Sequence, residues 1–200
     1  MANTTGKKIK DIAIIGGCAS LIYLTIGDIS YRLSLSRGGL NSKLITDMVA
    51  KSAAKKPKNE YKEKLDSMID DGADWFMHQD TEKIIIEKKH RQSLYADLIR
   101  PDKPSNVYII CIHGYTSSPA NMGIYAKKYH ELGYNVLLPS LRGHGDSEQD
   151  FITMGWNDRL DVIEWINYIA ERHPESKIIL HGVSMGAATT MMATGEKLPE

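Results

Sequence analysis

Val107-Tyr-Ile-Ile-Cys-Ile112 is an unbroken apolar run. A strand with no polar face belongs in a sheet covered on both sides, which is the situation of parallel sheets flanked by helices. The surrounding pattern agrees. Lys83 to Lys88 and Ser93 to Ile99 read as two strands joined by a turn, expected to pair antiparallel. A helix is predicted from about Ala120 to Leu132, closed by Gly133, and a short strand from Asn135 to Leu138 is stopped by Pro139. A further helix runs from about Trp156 to Arg172, with Asn157 or Asp158 at its start and Leu160, Ile163, Trp165, Ile166 and Ile169 as apolar positions. His173-Pro174 ends it. Lys177 to His181 is another buried strand, and a helix follows from Ser184 to about Lys197. Strands alternating with helices predict an α/β fold, a mostly parallel sheet with helices on both faces.

The N-terminal part is different in kind. Lys7, Lys8 and Lys10 precede an uncharged run from Ile12 to Ile26, ended by Gly27-Asp28. Residues 1–28 therefore read as a signal-anchor or a cleaved signal peptide, with a buried soluble helix as the third alternative. The run is shorter than the ~17–25 apolar residues of a usual membrane span, and no small-residue cleavage site follows it. If it anchors the chain, the lysines keep the N-terminus cytoplasmic and everything after Asp28 lies outside; otherwise the protein is secreted. Residues 29–80 read as a helical lead-in or stalk. Leu44, Ile45, Met48 and Val49 supply one helix and Leu65, Met68, Ile69, Trp75 and Phe76 a second, joined near Pro57.

Several classes are excluded. Twenty-five basic and twenty-five acidic residues cancel, and no basic stripe offers a footprint for nucleic acid. Cys18 and Cys111 are the only cysteines and read as two free thiols. No spacing suggests a metal site, and no cofactor is implied.

The chemistry concentrates at Gly182-Val183-Ser184-Met185-Gly186, entered by a strand and left by a helix. A serine on so tight a turn adopts a strained backbone, and side chains at 182 and 186 would collide with it, so Gly182 and Gly186 are required. Ser184 is the candidate nucleophile, held clear of the surface beside the positive end of a helix. His113-Gly114-Tyr115 follows the buried strand directly. Its position suits a loop that supplies one oxyanion-hole N–H, from Tyr115, while the residue after the serine, Met185, supplies the other. Tyr115 needs only its amide for this, so its ring is expected at the pocket mouth. His113 reads as support for the loop rather than as a base. Trp75, Trp156 and Trp165 are expected in the core or pocket wall, and Met191-Met192 as core packing.

With Leu141-Arg-Gly-His-Gly-Asp-Ser147 a third element appears in order. Together these segments resemble an α/β-hydrolase of the serine aminopeptidase S33 and monoacylglycerol-lipase-like branch, over about Lys83 to Lys197. The resemblance implies that residues 81–200 are the N-terminal part of an α/β-hydrolase domain, cut off after the nucleophile-elbow helix. It also implies that Arg142, His144 and Asp146 form a structural knot flanking the site, so that Asp146 is not the catalytic acid. Bacterial members similar to this chain often carry an N-terminal hydrophobic anchor, which agrees with membrane attachment through residues 12–26.

In that family the serine is followed by an Asp or Glu and then a His. Here His78, His90, His113, His130, His144, His173 and His181 all precede Ser184, and only Glu196 and Glu200 follow it as acids. The expected function is hydrolysis of a small-molecule or peptide ester or amide through an acyl-enzyme. The expected status of the chain is a fragment lacking its acid and base. The alternatives are a non-catalytic membrane-anchored binding module, or half of a split enzyme.

Overall fold

The computed structural model describes residues 20–40, 59–87 and 93–199, with residues 43, 47, 48, 51 and 52. Most of the uncharged run, the three N-terminal lysines, Cys18 and most of the first lead-in helix lie outside the described residues. Helix α1 covers 20–35, α2 Glu60–Met77, α3 Gly123–Glu131, α4 Asp158–Arg172 and α5 Met185–Thr194. The strands are β1 Glu82–Ile86, β2 Leu94–Ile99, β3 Val107–Ile112, β4 Asn135–Pro139 and β5 Lys177–Gly182.

They form one five-stranded sheet in the order β1-β2-β4-β3-β5. β4, β3 and β5 run parallel, and β2 lies antiparallel against β4 with β1 antiparallel beyond it. Period-two alternation along β3 divides the interior into two cores. Tyr108, Ile110 and Ile112 face one core with Val162, Trp165, Ile166 and Ile169 of α4 and Met185 of α5. Ile109 and Cys111 face the other with Phe76 of α2, Met122, Ala126 of α3, Val136 and Leu138. Every residue of β3 from Ile109 to Ile112 is fully buried, which is why its sequence carries no polar position.

Helix α2 lies against α3 at a crossing made by two glycines. A Cβ on Gly72 would fall 2.3 Å from the Ile124 backbone nitrogen, and one on Gly123 would fall 2.0 Å from the Gly72 carbonyl oxygen. Asn59 caps α2, its side chain accepting from the Tyr61 and Lys62 amides.

Three expectations need correction. Trp156 is 63% exposed rather than core, because it precedes α4 and its ring lies under the Arg159 guanidinium, 3.9 Å from the centroid. Met191 is 69% exposed, since Met185, Thr189 and Ala193 define the inward stripe of α5. The elbow helix also ends at Thr194 rather than near Lys197, with Gly195 as its C-cap.

The described part of α1 presents Leu21, Ile22, Tyr23, Leu24, Ile26 and Ile29 to solvent, and residues 20–32 are exposed throughout. Among the described residues no helix is long and apolar enough to cross a membrane.

Candidate active site

Ser184 stands between β5 and α5 with φ 55° and ψ −116°, a conformation that L-residues occupy only when their surroundings enforce it. Enforcement comes from contacts that leave no room for Cβ atoms on either side. A Cβ at Gly182 would lie 2.2 Å from the Gly186 carbonyl oxygen, and one at Gly186 would lie 2.1 Å from the carbonyl oxygen of Ile112. The Val183 amide donates to Ile112 O at 3.1 Å, and Gly186 and Ala187 donate back to Val183 and Ser184. The turn is thus closed by backbone on all sides. The Ser184 side chain is exposed and makes no capping bond to its helix.

The loop after β3 comes directly beside it. A Cβ on Gly114 would sit 3.3 Å from Ser184 Cβ and 3.9 Å from its Oγ. Among the described residues no acceptor is bonded to the amide of Tyr115 or to that of Met185, the first residue of α5. The Tyr115 ring packs against the α4-side core, and its hydroxyl donates to the carbonyl of Ser34. The ring is therefore engaged by α1, a partnership that local sequence does not announce.

Two histidines brace this loop from behind. His113 is fully buried: its Nδ1–H donates to Gly114 O at 2.9 Å and its Nε2 accepts from the Leu141 amide at 3.2 Å. His144 repeats the arrangement in the other direction, Nδ1–H to Arg142 O at 2.9 Å and Nε2 accepting from the Thr116 amide at 3.2 Å. Their rings meet edge to face at 4.9 Å. With both nitrogens committed, each ring is a neutral cross-link between the loop after β3 and the loop after β4, and neither has a nitrogen left to accept a proton from Ser184. Burial pushes the His113 pKa down to about 4, and burial also lowers that of His144.

Acid should therefore loosen the fold in a defined window. The unfolded chain takes up a proton at His113 near pH 6.5, whereas the folded chain refuses it until about pH 4. Stability from this residue is complete above pH 6.5 and is lost as pH falls toward about 4. At ~1.4 kcal/mol per pH unit the loss is about 3 kcal/mol. Urea titrations across this window should show the slope in the wild type and a shallower one in His113→Asn. Equal slopes would contradict the assignment.

The Arg142 loop is tied down by acids that sequence reasoning passed over. Arg142 makes a bidentate pair with Asp161, Nε to Oδ2 at 2.7 Å and Nη2 to Oδ1 at 2.9 Å. Asp158 is fully buried and accepts from the Arg142 amide (3.0 Å), the Thr153 hydroxyl (2.6 Å) and the Gly155 amide (3.0 Å). A signal was present. Asp158 and Asp161 share the face of α4 that also carries Val162 and Trp165, and acids on an apolar stripe need buried partners. Asp146 instead points outward to Lys83 Nζ at 2.9 Å. Cys111 is buried, and its thiol is pushed up to about 12 by burial, which leaves it unreactive. Among the described residues no group of His, Cys, Asp and Glu could hold a metal ion.

A half-parallel sheet, helices on both faces, and a strand–Ser–helix elbow beside the loop after β3 are the features of the α/β-hydrolase fold. Residues 103–200 match the serine aminopeptidase S33 family, which supports an α/β-hydrolase of that branch over this part of the chain. It is similar to a thermostable monoacylglycerol lipase of Bacillus sp. (strain H-257), 31% identical over 90 residues, covering 42% of this chain and 34% of the lipase. An uncharacterized Bacillus subtilis protein, YqkD, is 29% identical over 121 residues, covering 60% of this chain and 39% of that protein. Among solved structures, an esterase of Pyrococcus furiosus superposes with a TM-score of 0.54 at 29% identity, over 60% of this chain and 47% of the esterase. A lidless α/β serine hydrolase of Xanthomonas campestris shares the fold at 19% identity and TM-score 0.50, over 58% of this chain and 56% of that one. The chain thus spans 34% and 39% of the curated relatives it matches.

Proposed function

We propose that the protein is a serine hydrolase in which Ser184 attacks an acyl carbonyl and carries the acyl group as an ester intermediate. The observation that carries this reading is the exposed, positive-φ Ser184 lying against Gly114, with Tyr115 and Met185 next in the chain to these two residues and their amides bonded to no acceptor among the described residues. Two such donors stabilise the developing oxyanion, each worth about 3–4 kcal/mol in the transition state where measured. The likeness to a monoacylglycerol lipase and to an esterase favours an ester over an amide as the bond broken.

An unactivated serine hydroxyl is a poor nucleophile near neutral pH, so a proton acceptor is required. All seven histidines precede Ser184 in the 200 residues, and His113 and His144 are committed to backbone. On this reading the acid and base come from polypeptide outside these residues, in cis or in trans. The uncharged run 12–26, with its three preceding lysines and the exposed apolar side chains of α1, is read as the membrane attachment, with the hydrolase domain outside the cell.

Chemical modification tests the catalytic part. A fluorophosphonate should inactivate ester hydrolysis in step with its incorporation, reaching one adduct per chain. Hydrolysis that survives full modification would sink the proposal.

A further inference from the structure

Residues 34–37, the last two residues of α1 and the two that follow, grip both loops that flank Ser184. Arg37 donates Nη1 to Ser147 O at 2.6 Å and Nη2 to Gly145 O, taking two carbonyls of the loop that holds His144. The backbone adds a short antiparallel bridge between Ser36 and Phe151, with Arg37 N to Asp150 O and Ile152 N to Leu35 O, both 2.8 Å. Tyr31 stacks on Phe151 at 5.5 Å, and Leu35 packs against the α4-side core. The Tyr115 hydroxyl closes the arrangement on Ser34 O. Through His144 Nε2 and the Thr116 amide, the loop held by Arg37 is in turn bonded to the loop that presents the Tyr115 amide.

The other end of the same helix is of opposite character. Residues 20–27 carry no charge, and their apolar side chains are exposed on every side, Leu21 to 66% and Tyr23 to 79%. Most of a helix's stability in a protein comes from packing of its apolar face, so the order of this exposed segment depends on what covers it. The occupant that fits is a bilayer with anionic headgroups: uncharged residues occupy 12–27, and Lys7, Lys8 and Lys10 complement the headgroup charge. The first charges on the domain side are Asp28 and Arg32, which pair with each other at 2.8 Å. From Asp28 to Ser34 is six residues of helix, about 9 Å of rise. That is close to the depth of one headgroup layer, about 5–8 Å.

We propose that residues 34–37 are a clasp that fastens a bilayer-seated helix to the two loops beside Ser184, holding the mouth of the site at the headgroup layer, with Arg37 as its positioning residue. This rests on the membrane reading of residues 12–26 made above. Once α1 is seated, the clasp restrains the loop that carries the Tyr115 amide.

The test is amide hydrogen exchange on the full chain, mixed with phosphatidylcholine vesicles containing phosphatidylglycerol, and flotation of the same samples. Wild type and Arg37→Ala should both float with the vesicles. In Arg37→Ala, exchange across residues 113–118 and 141–152 should quicken by roughly tenfold or more, as loss of a charge-assisted hydrogen bond implies, while β3 and β4 stay protected. Arg37→Lys, which keeps the charge and a donor, should recover part of the protection. Flotation with unchanged loop exchange in Arg37→Ala, exchange that rises equally in β3 and β4, or no recovery in Arg37→Lys would each overturn the clasp and leave the membrane reading standing. Failure of the wild type to float, or flotation undiminished in Leu24→Asp/Ile26→Asp, would overturn the membrane reading itself.

Discussion

In a form of the protein that hydrolyses an acyl ester, Ser184→Ala is expected to lower kcat by roughly three to six orders of magnitude while leaving KM within about twofold. The two halves of this expectation have separate origins. Ser184 supplies the bond-forming atom, and its loss removes the covalent route, leaving what the oxyanion donors and binding alone provide. The Ser184 hydroxyl makes no capping bond with α5, so the substitution breaks no structural contact there. The positive φ is enforced by Gly182 and Gly186, not by the hydroxyl, so alanine inherits the same strain. Thermal stability should accordingly be unchanged or slightly increased. Steady-state kinetics with a chromogenic ester checks the rates, and a thermal melt checks the fold. A variant that keeps wild-type kcat would remove Ser184 from the chemistry.

The second large effect is expected at Gly186→Ala. The added methyl would fall 2.1 Å from Ile112 O and 2.6 Å from His113 O, backbone atoms at the end of β3 and just past it. Neither can turn aside as a side chain does, so α5 must move off β3. Overpacking of this kind costs about 3 kcal/mol or more. The same movement separates the Met185 amide from the Tyr115 amide, and a displacement near 1 Å at a reacting centre costs about a hundredfold in rate. Gly195→Ala provides the contrast. Its nearest heavy atom would be 3.4 Å away and its φ is −81°, so alanine fits and should be neutral or slightly stabilising. Urea unfolding of the two variants checks the pair. Equal stabilities would mean that the elbow is not closed against β3.

What the chain reveals before its structure depends on the range of the interactions involved. β3 and the elbow are legible because their causes are local: an unbroken apolar run and two glycines flanking a serine. The antiparallel β1–β2 pair is legible as two short strand-forming runs close in sequence, whereas its register, Glu82 opposite Leu98, comes from the fold. The support of the site is not legible in this way. Arg37 reaches Gly145 and Ser147 across more than a hundred residues, and nothing in the sequence near position 37 marks it. Asp158 and Asp161 were readable as acids on an apolar stripe, but only the fold reveals that Arg142 and the Gly155 turn are their partners. Trp156 and Met191 mislead for the opposite reason. Large apolar residues suggest the interior, but each lies on an outward-facing position.

Ser184 Oγ is the atom expected to carry the acyl or phosphonyl group. The most direct measurement is mass mapping of the protein after fluorophosphonate treatment. The expected result is one adduct, on the peptide containing Ser184 and absent from Ser184→Ala, in a form that turns over ester. An adduct on any other residue, or undiminished labelling of Ser184→Ala, would contradict it.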